Sequence, residues 1–345
     1  MTAFTRYGIS RSDLEQLFEE WGEPRYRVGQ VWDALYRRRI ALDDATELSK
    51  PMRARLVDAL PRSLETDIEA TAADGATTKW LWRAGADRAQ VETVLMRSPT
   101  RATVCVSSQA GCAMACTFCA TGQDGFMRHL DSAEIVEQVA FAAQFSEQPV
   151  THVVYMGMGE PLANYDAVWA SVERLHHDFG ISARHLTIST VGVVPGMLRL
   201  AREPLPVTLA VSLHAADDDL RTTLVPLNAR YSIAEVLDAA AEVAGAHGRR
   251  VSFEYACIEG VNDTLEQADA LARLLRSWPG AGGAHVNLIP LNPTTGFPGH
   301  APGHGRVRRF AGRLRAAGIT ATVRRNRGVD IDAACGQLRS RRLSA

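Results

Sequence analysis

Three cysteines, Cys112, Cys116 and Cys119, are separated by three and two residues in the run Cys112-Ala-Met-Ala-Cys116-Thr-Phe-Cys119. That spacing is too tight for disulfides to use up all three. It is also one thiol short of the four-ligand set that closes a structural zinc site. Thiolates grouped in a loop bind soft metals, either zinc or an iron–sulfur cluster. No His or Cys follows Cys119 at finger-like spacing, and His129, the nearest candidate, precedes a helix start. A four-iron cluster held by three thiolates keeps one iron open to another ligand, and an open position is what chemistry requires. The three cysteines therefore read as ligands of a 4Fe–4S cluster.

A second set of candidates stands where apolar, strand-like runs end. Gly159 and Glu160 close one such run, Ser189 the next, Ser212, Leu213 and His214 the one after, and Asn292 follows the last. Glycines let backbone approach a ligand, and a fixed carboxylate can accept from an ammonium. Hydroxyl, imidazole and amide groups orient a ligand in a mostly apolar pocket. Singly each is an ordinary turn or strand end; their serial placement is the signal. Two more cysteines lie apart from the triad. Cys105 sits inside the first run, and Cys335 in a polar, Gly-flanked segment that reads as a loop, where reactive groups tend to lie. Cys257 reads as a small buried hydrophobe. Glu92, in Val91-Glu-Thr-Val, reads by itself as an exposed strand carboxylate.

Positioning these groups requires alternating strands and helices. Strand-like runs fall at 102–106, 152–156, 185–189, 207–213, 251–255 and 285–289, with a shorter one at 320–323. Amphipathic helical stretches separate them at 132–145 (opened by the capping box Asp131-x-x-Glu134), 165–176, 233–246 and 265–275. Repeated βα units imply a parallel sheet whose chemistry collects at the carboxyl ends of its strands. Six units predict an α/β fold, a partial (β/α)6 barrel. Ahead of it, residues 1–75 read as a small helical accessory module. Its helices are opened by Ser12-x-x-Glu15, by Tyr26, and near Leu48, with a basic edge at 37–39. Residues 76–101 read as a β extension with strands at 78–83 and 90–96, and 102–345 as the core with the Cys335 segment.

The 345 residues are 46% hydrophobic and 22% charged, which suits a soluble α/β chain. No apolar run approaches the roughly 20 residues that span a bilayer, and the N-terminus lacks a signal core. A cytoplasmic protein with no membrane attachment is expected, and a reducing compartment suits exposed thiolates. Net charge is −1, yet eleven arginines follow residue 305 against Asp330 and Asp332. A local basic surface of that kind can bind phosphate even on a neutral chain.

The three-cysteine spacing resembles the signature of the radical S-adenosylmethionine (SAM) superfamily. With Cys105-Val-Ser-Ser-Gln, Gly157-Met-Gly-Glu-Pro-Leu, Ser212-Leu-His-Ala and Asp330-Ile-Asp-Ala-Ala-Cys335-Gly-Gln-Leu, the chain resembles the RlmN/Cfr family of RNA adenine methyltransferases from about Arg25 to Leu338. The resemblance implies methylation of C2 of adenosine in 23S rRNA at the peptidyl-transferase centre, and of the adenosine 3′ to the anticodon in some tRNAs. It implies a 4Fe–4S cluster on Cys112, Cys116 and Cys119. SAM, two per turnover, would be held by Gly159, Glu160, Ser189, Ser212, Leu213, His214 and Asn292. Cys335 would carry the methyl group to the base, Glu92 would accept a proton, and Cys105 would resolve the covalent link through a transient disulfide. An electron donor such as flavodoxin or ferredoxin and a monomeric enzyme are expected. Methylation at C8 is the nearest alternative, and a non-catalytic, metal-containing RNA-binding protein is the alternative from another class.

Overall fold

In the computed structural model, residues 4–294, 296–324 and 331 are described. Ten strands form one sheet in strict sequence order. The first three are β1 (Leu64–Thr71), β2 (Thr77–Ala84) and β3 (Ala89–Arg97), paired antiparallel. β4 (Ala102–Cys105) joins β3 antiparallel, and a separate two-stranded piece, β5 (Gln109–Gly111) with β6 (Phe126–His129), follows it. From β4 onward the large sheet is parallel, through β7 (Val150–Tyr155), β8 (Leu186–Thr190), β9 (Thr208–Ser212), β10 (Val251–Cys257), β11 (Ala284–Pro290) and β12 (Thr320–Val323). The six expected barrel strands are present, and the run at 320–323 adds a seventh parallel strand at the edge.

Helices Ser132–Gln144, Tyr165–His177, Ile233–His247 and Leu265–Arg276 lie where their periodicity places them. The Asp131/Glu134 capping box closes reciprocally, Asp131 accepting from the Glu134 amide at 2.8 Å.

The N-terminal segment departs from its sequence reading in three ways. The first helix, Arg11–Glu20, is capped by Ser10 and Asp13 rather than by Ser12 and Glu15. Ser10 can accept from the Asp13 amide at 3.0 Å while Asp13 bonds back to it. The second helix, Tyr26–Trp32, passes into a π-helical turn, Asp33–Arg37, that drives Tyr36 fully into the core. There Arg174 of the barrel donates to the Tyr36 hydroxyl at 2.7 Å, and Phe179 meets its ring edge-on. The basic edge is correspondingly not free: Arg38 pairs with Glu47 and Asp33, and Arg39 donates to the Phe179 carbonyl. Finally, β1 occupies residues assigned to the helical module. Its register shifts between Thr66 and Ile68, which breaks the two-residue alternation by which a strand is read. One continuous apolar cluster joins this segment to the barrel, running from Tyr7 and Leu14 to Leu314.

Candidate active site

The cysteine triad lies in a tightly wound loop between β5 and β6. Gly111 has φ +78°, and a Cβ there would lie 2.0 Å from the Gly125 carbonyl oxygen. Ala115, between two of the cysteines, is also left-handed, at φ 53°. Such conformations cost energy and persist where surrounding structure over-determines them. Backbone N–H groups point at sulfur: Met114 donates to Cys112, and Thr121 and Gly122 donate to Cys119. A separate apolar cluster of Leu224, Val225, Ile258 and Leu291 surrounds Cys116.

Burial pushes Cys112 up to about 12 and raises Cys116 and Cys119 as well, the thiols of Cys112 and Cys119 adding to the rise at Cys116. Bound iron reverses that preference by supplying the missing positive charge. Among the described residues no three His, Cys, Asp or Glu side chains converge as ligands of one ion. The all-thiol donor set, the amides aimed at sulfur and the apolar surroundings of Cys116 fit a 4Fe–4S cluster.

Cys119 opens into a cavity of about 240 Å³ at the carboxyl ends of the parallel strands. Ser189, Ser212, His214 and Asn292 line it together with Phe118 and Met156, so four of the strand-end candidates share one wall with the cluster loop. His214 is held by its neighbours. It has φ 62°, its Nδ1 accepts from the Ala256 amide at 3.0 Å, and its carbonyl accepts from Asn262. That bond leaves the ring proton on Nε2, and burial pushes the imidazole down to about 3, so the ring is neutral.

Leu213, Gly159 and Glu160 stand behind this wall. Leu213 is fully buried. Gly159 has φ +102° and its Cβ would lie 2.5 Å from Gln109, so only glycine permits that approach. Glu160 accepts from the Val191 amide at 2.8 Å and the Leu162 amide at 3.0 Å, which ties the ends of β7 and β8 together. Burial raises its carboxyl to about 7, and a cation bound nearby would keep it ionised.

Cys105 is half-buried on β4, and the Met156 amide donates to its sulfur. Glu92 is not the exposed carboxylate of the sequence reading: it is 2% exposed and forms an ion pair with Lys79 at 2.8 Å. A period-two pattern identifies a strand but not which of its faces is covered. Cys257 is buried, as its neighbours suggest. Cys335 lies outside the described residues.

Two residues at the site escape sequence reasoning. Glu254 on β10 lines the cavity, accepting from Ser252 at 2.7 Å and Asn287 at 2.7 Å. A lone Glu within an apolar strand run was its only signal. Arg221, in helix Asp218–Leu224, is fully buried and reaches the tips of two strands. It donates to the carbonyls of Val191, Ser212 and Leu213 and to Asn228 Oδ1. The same helix offers the Leu224 carbonyl to the Thr117 amide in the cysteine loop, at 3.1 Å.

Residues 106–275 match the radical SAM superfamily, and residues 7–60 match the ribosomal RNA large subunit methyltransferase N-terminal domain. A probable dual-specificity RNA methyltransferase RlmN from Frankia alni is 52% identical over 96% of this chain and 81% of that protein. One from Chloroflexus aurantiacus is 47% identical over 97% and 92%. The crystal structure of a radical SAM methyltransferase from Sphaerobacter thermophilus superimposes with a TM-score of 0.90 at 48% identity, covering 97% of this chain and 98% of that one.

The chain belongs to the RlmN family of radical SAM methyltransferases. Family membership implies the 4Fe–4S cluster and SAM, and the RlmN-type barrel supplies the loop and cavity described above. Arg221 gives this RlmN-family site a checkable support. Arg221→Met takes the guanidinium donor from the Val191, Ser212 and Leu213 carbonyls, the last of which keeps the Ala215 amide, so a loss of about 2 kcal/mol or more in folding stability is expected. SAM affinity should fall with it. Thermal melting and equilibrium SAM binding measure the two effects.

Proposed function

We propose that this protein methylates C2 of adenosine in 23S rRNA at the peptidyl-transferase centre and C2 of the adenosine 3′ to the anticodon in some tRNAs. The names of its relatives support dual specificity. The observation that carries the reading is the placement of Cys105 and Glu92. The two lie on one sheet face, and Met156, whose amide donates to the Cys105 sulfur, lines the cavity into which Cys119 opens.

C2 of adenine lies between two ring nitrogens and carries no lone pair, so it cannot attack SAM as an amine or thiolate would. When bound, the cluster and SAM supply the electron and the radical chemistry that such a carbon demands. Cys112, Cys116 and Cys119 hold the cluster. Ser189, Ser212, His214 and Asn292 orient SAM within the cavity, and Gly159 and Glu160 shape its amino-group end. Cys335 takes a methyl group from one of two SAM molecules per turnover by thiolate displacement, with S-adenosylhomocysteine leaving. The hydrogen atom this methyl must lose before its carbon joins C2 would go to the radical that the second SAM supplies. Glu92 accepts the proton lost from C2. Cys105 then attacks the Cys335 sulfur, releasing methylated RNA and leaving a disulfide for a cellular reductant.

Residues 7–60 and the arginine-rich C-terminal stretch grip the RNA backbone, and the target base is extruded into the cavity. Arg324 of that stretch is exposed and lines the cavity. A low-potential donor such as flavodoxin or ferredoxin, a monomeric state and a cytoplasmic location complete the reading. No helix among the described residues is long and apolar enough to cross a membrane.

The test is anaerobic reconstitution with iron, sulfide and SAM, incubation with rRNA and tRNA, and mass spectrometry of nucleosides and of the Cys335 peptide. 2-Methyladenosine and a methylated Cys335 are expected. 8-Methyladenosine would overturn the regiochemistry, and unmodified RNA with active SAM cleavage would overturn the substrate.

A further inference from the structure

The chain uses arginine for nearly all its positive charge: only Lys50 and Lys79 are lysines, against 36 arginines. Lys50 is exposed at a helix start, whereas Lys79 is fully buried on β2. Its Nζ lies 2.8 Å from Glu92 Oε2, and neither side chain exceeds 2% exposure. Register explains the meeting. Lys79 is directly opposite Val94, Glu92 lies two residues along the same strand, and Val94 is opposite Cys105 on the next strand. Side chains of directly paired residues, and of residues two apart, share one face. Lys79, Glu92 and Cys105 therefore occupy a single face across three strands. Trp80 and Trp82 fill the other face against Phe141.

A desolvated ion pair is a poor stabiliser. Removing two charges from water costs several kcal/mol per ion, and well-packed apolar replacements are often as stable or better. Burial alone therefore does not account for a lysine at this position. Arginine would hold a permanent charge in a broad planar fork. Lysine brings a compact point charge with three donors that can be directed at neighbouring groups.

We infer that Lys79 is the positioning residue of the proton acceptor: its ammonium aims the Glu92 carboxylate and sets a positive charge beside Cys105. This rests on the role given to Glu92 under the proposed function. The charged groups acting on Cys105 are Arg324, Lys79 and Glu92, the first two favouring its thiolate and the third opposing it. Once Glu92 has taken the proton from C2, its opposing charge is gone, and both cations act on Cys105 alone. Proton removal and thiolate formation are thereby placed in order.

The test is single-turnover kinetics of the reconstituted, SAM-loaded protein with end-labelled RNA. The covalent protein–RNA adduct is followed on denaturing gels after rapid quenching, across pH 6 to 9. Lys79→Met should form methyl-Cys335 and adduct at the unsubstituted level. Its adduct should decay roughly 10- to 100-fold more slowly, with the acid limb of the pH profile moved to higher pH. Lys79→Arg should keep that limb in place. Adduct decaying alike in both proteins, or more slowly with an unmoved pH profile, overturns the proposal alone. An unsubstituted protein that never forms adduct overturns the functional reading and this proposal with it. If Lys79→Met does not fold, infrared difference spectra of unsubstituted protein against Glu92→Gln decide. An ionised carboxylate at neutral pH is expected, and a protonated carbonyl band overturns the assignment.

Discussion

Cys105→Ala should stop product release while leaving the earlier steps intact, so that RNA accumulates covalently joined to the protein. Steady-state turnover should fall by roughly three orders of magnitude or more, as expected when a nucleophile is removed. Denaturing gels of labelled RNA and a methylation time course measure the two outcomes together. Lost turnover without trapped RNA would remove Cys105 from the reaction. The physical basis is its setting. The sulfur lies on the same face as Glu92, takes a hydrogen bond from the Met156 amide, and has its thiol pushed up to about 11, chiefly by burial. A raised thiol is mostly protonated near neutrality, and only the thiolate attacks sulfur. Adduct decay in the unsubstituted protein should therefore quicken as pH rises, by up to about tenfold per unit while the thiolate is the minor form.

Cys116→Ala should empty the protein of its cluster while sparing the fold. Cys116 is 7% exposed within the apolar group of Leu224, Val225, Ile258 and Leu291, where alanine is an acceptable smaller neighbour. A melting shift equivalent to about 1 kcal/mol or less in the iron-free protein is expected. Iron content after anaerobic reconstitution should drop from about four per chain to background, since two thiolates do not retain a cubane. Reductive SAM cleavage should vanish with it. Full iron in this variant would show that the ligands lie elsewhere. Desolvation acts in the same direction: all three thiols are raised, so the apo loop favours protons and the metal must displace them. Reconstitution should accordingly proceed faster at pH 8.5 than at pH 6.5, read by the growth of iron–sulfur absorbance.

Much of the site was legible in the chain because its parts are local. Cys112, Cys116 and Cys119 form one short loop, so their grouping could be read from spacing. Ser189, Ser212, His214 and Asn292 follow strand-like runs, and repeated βα units bring successive strand ends to one rim. The Asp131 capping box and the strands beside it depend on neighbours a few residues away, so they too could be read.

What tertiary structure decided lies between distant segments. Glu92 looked exposed until the register of β2 and β3 set it against Lys79, and a one-residue slip would have turned it to the opposite face. Arg221 reaches strand tips up to 30 residues away in sequence, and nothing in its own helix announces that reach. Glu160 reads in the sequence as a ligand-facing acid, whereas the fold sets it behind the cavity wall with both oxygens tied to backbone amides. The sequence by itself determined which atoms are available for chemistry, because residue type and short spacing carry that information. Which faces are buried, and which charges meet, depends on strand register and on helices packed across the sheet, where the contacting residues are far apart along the chain.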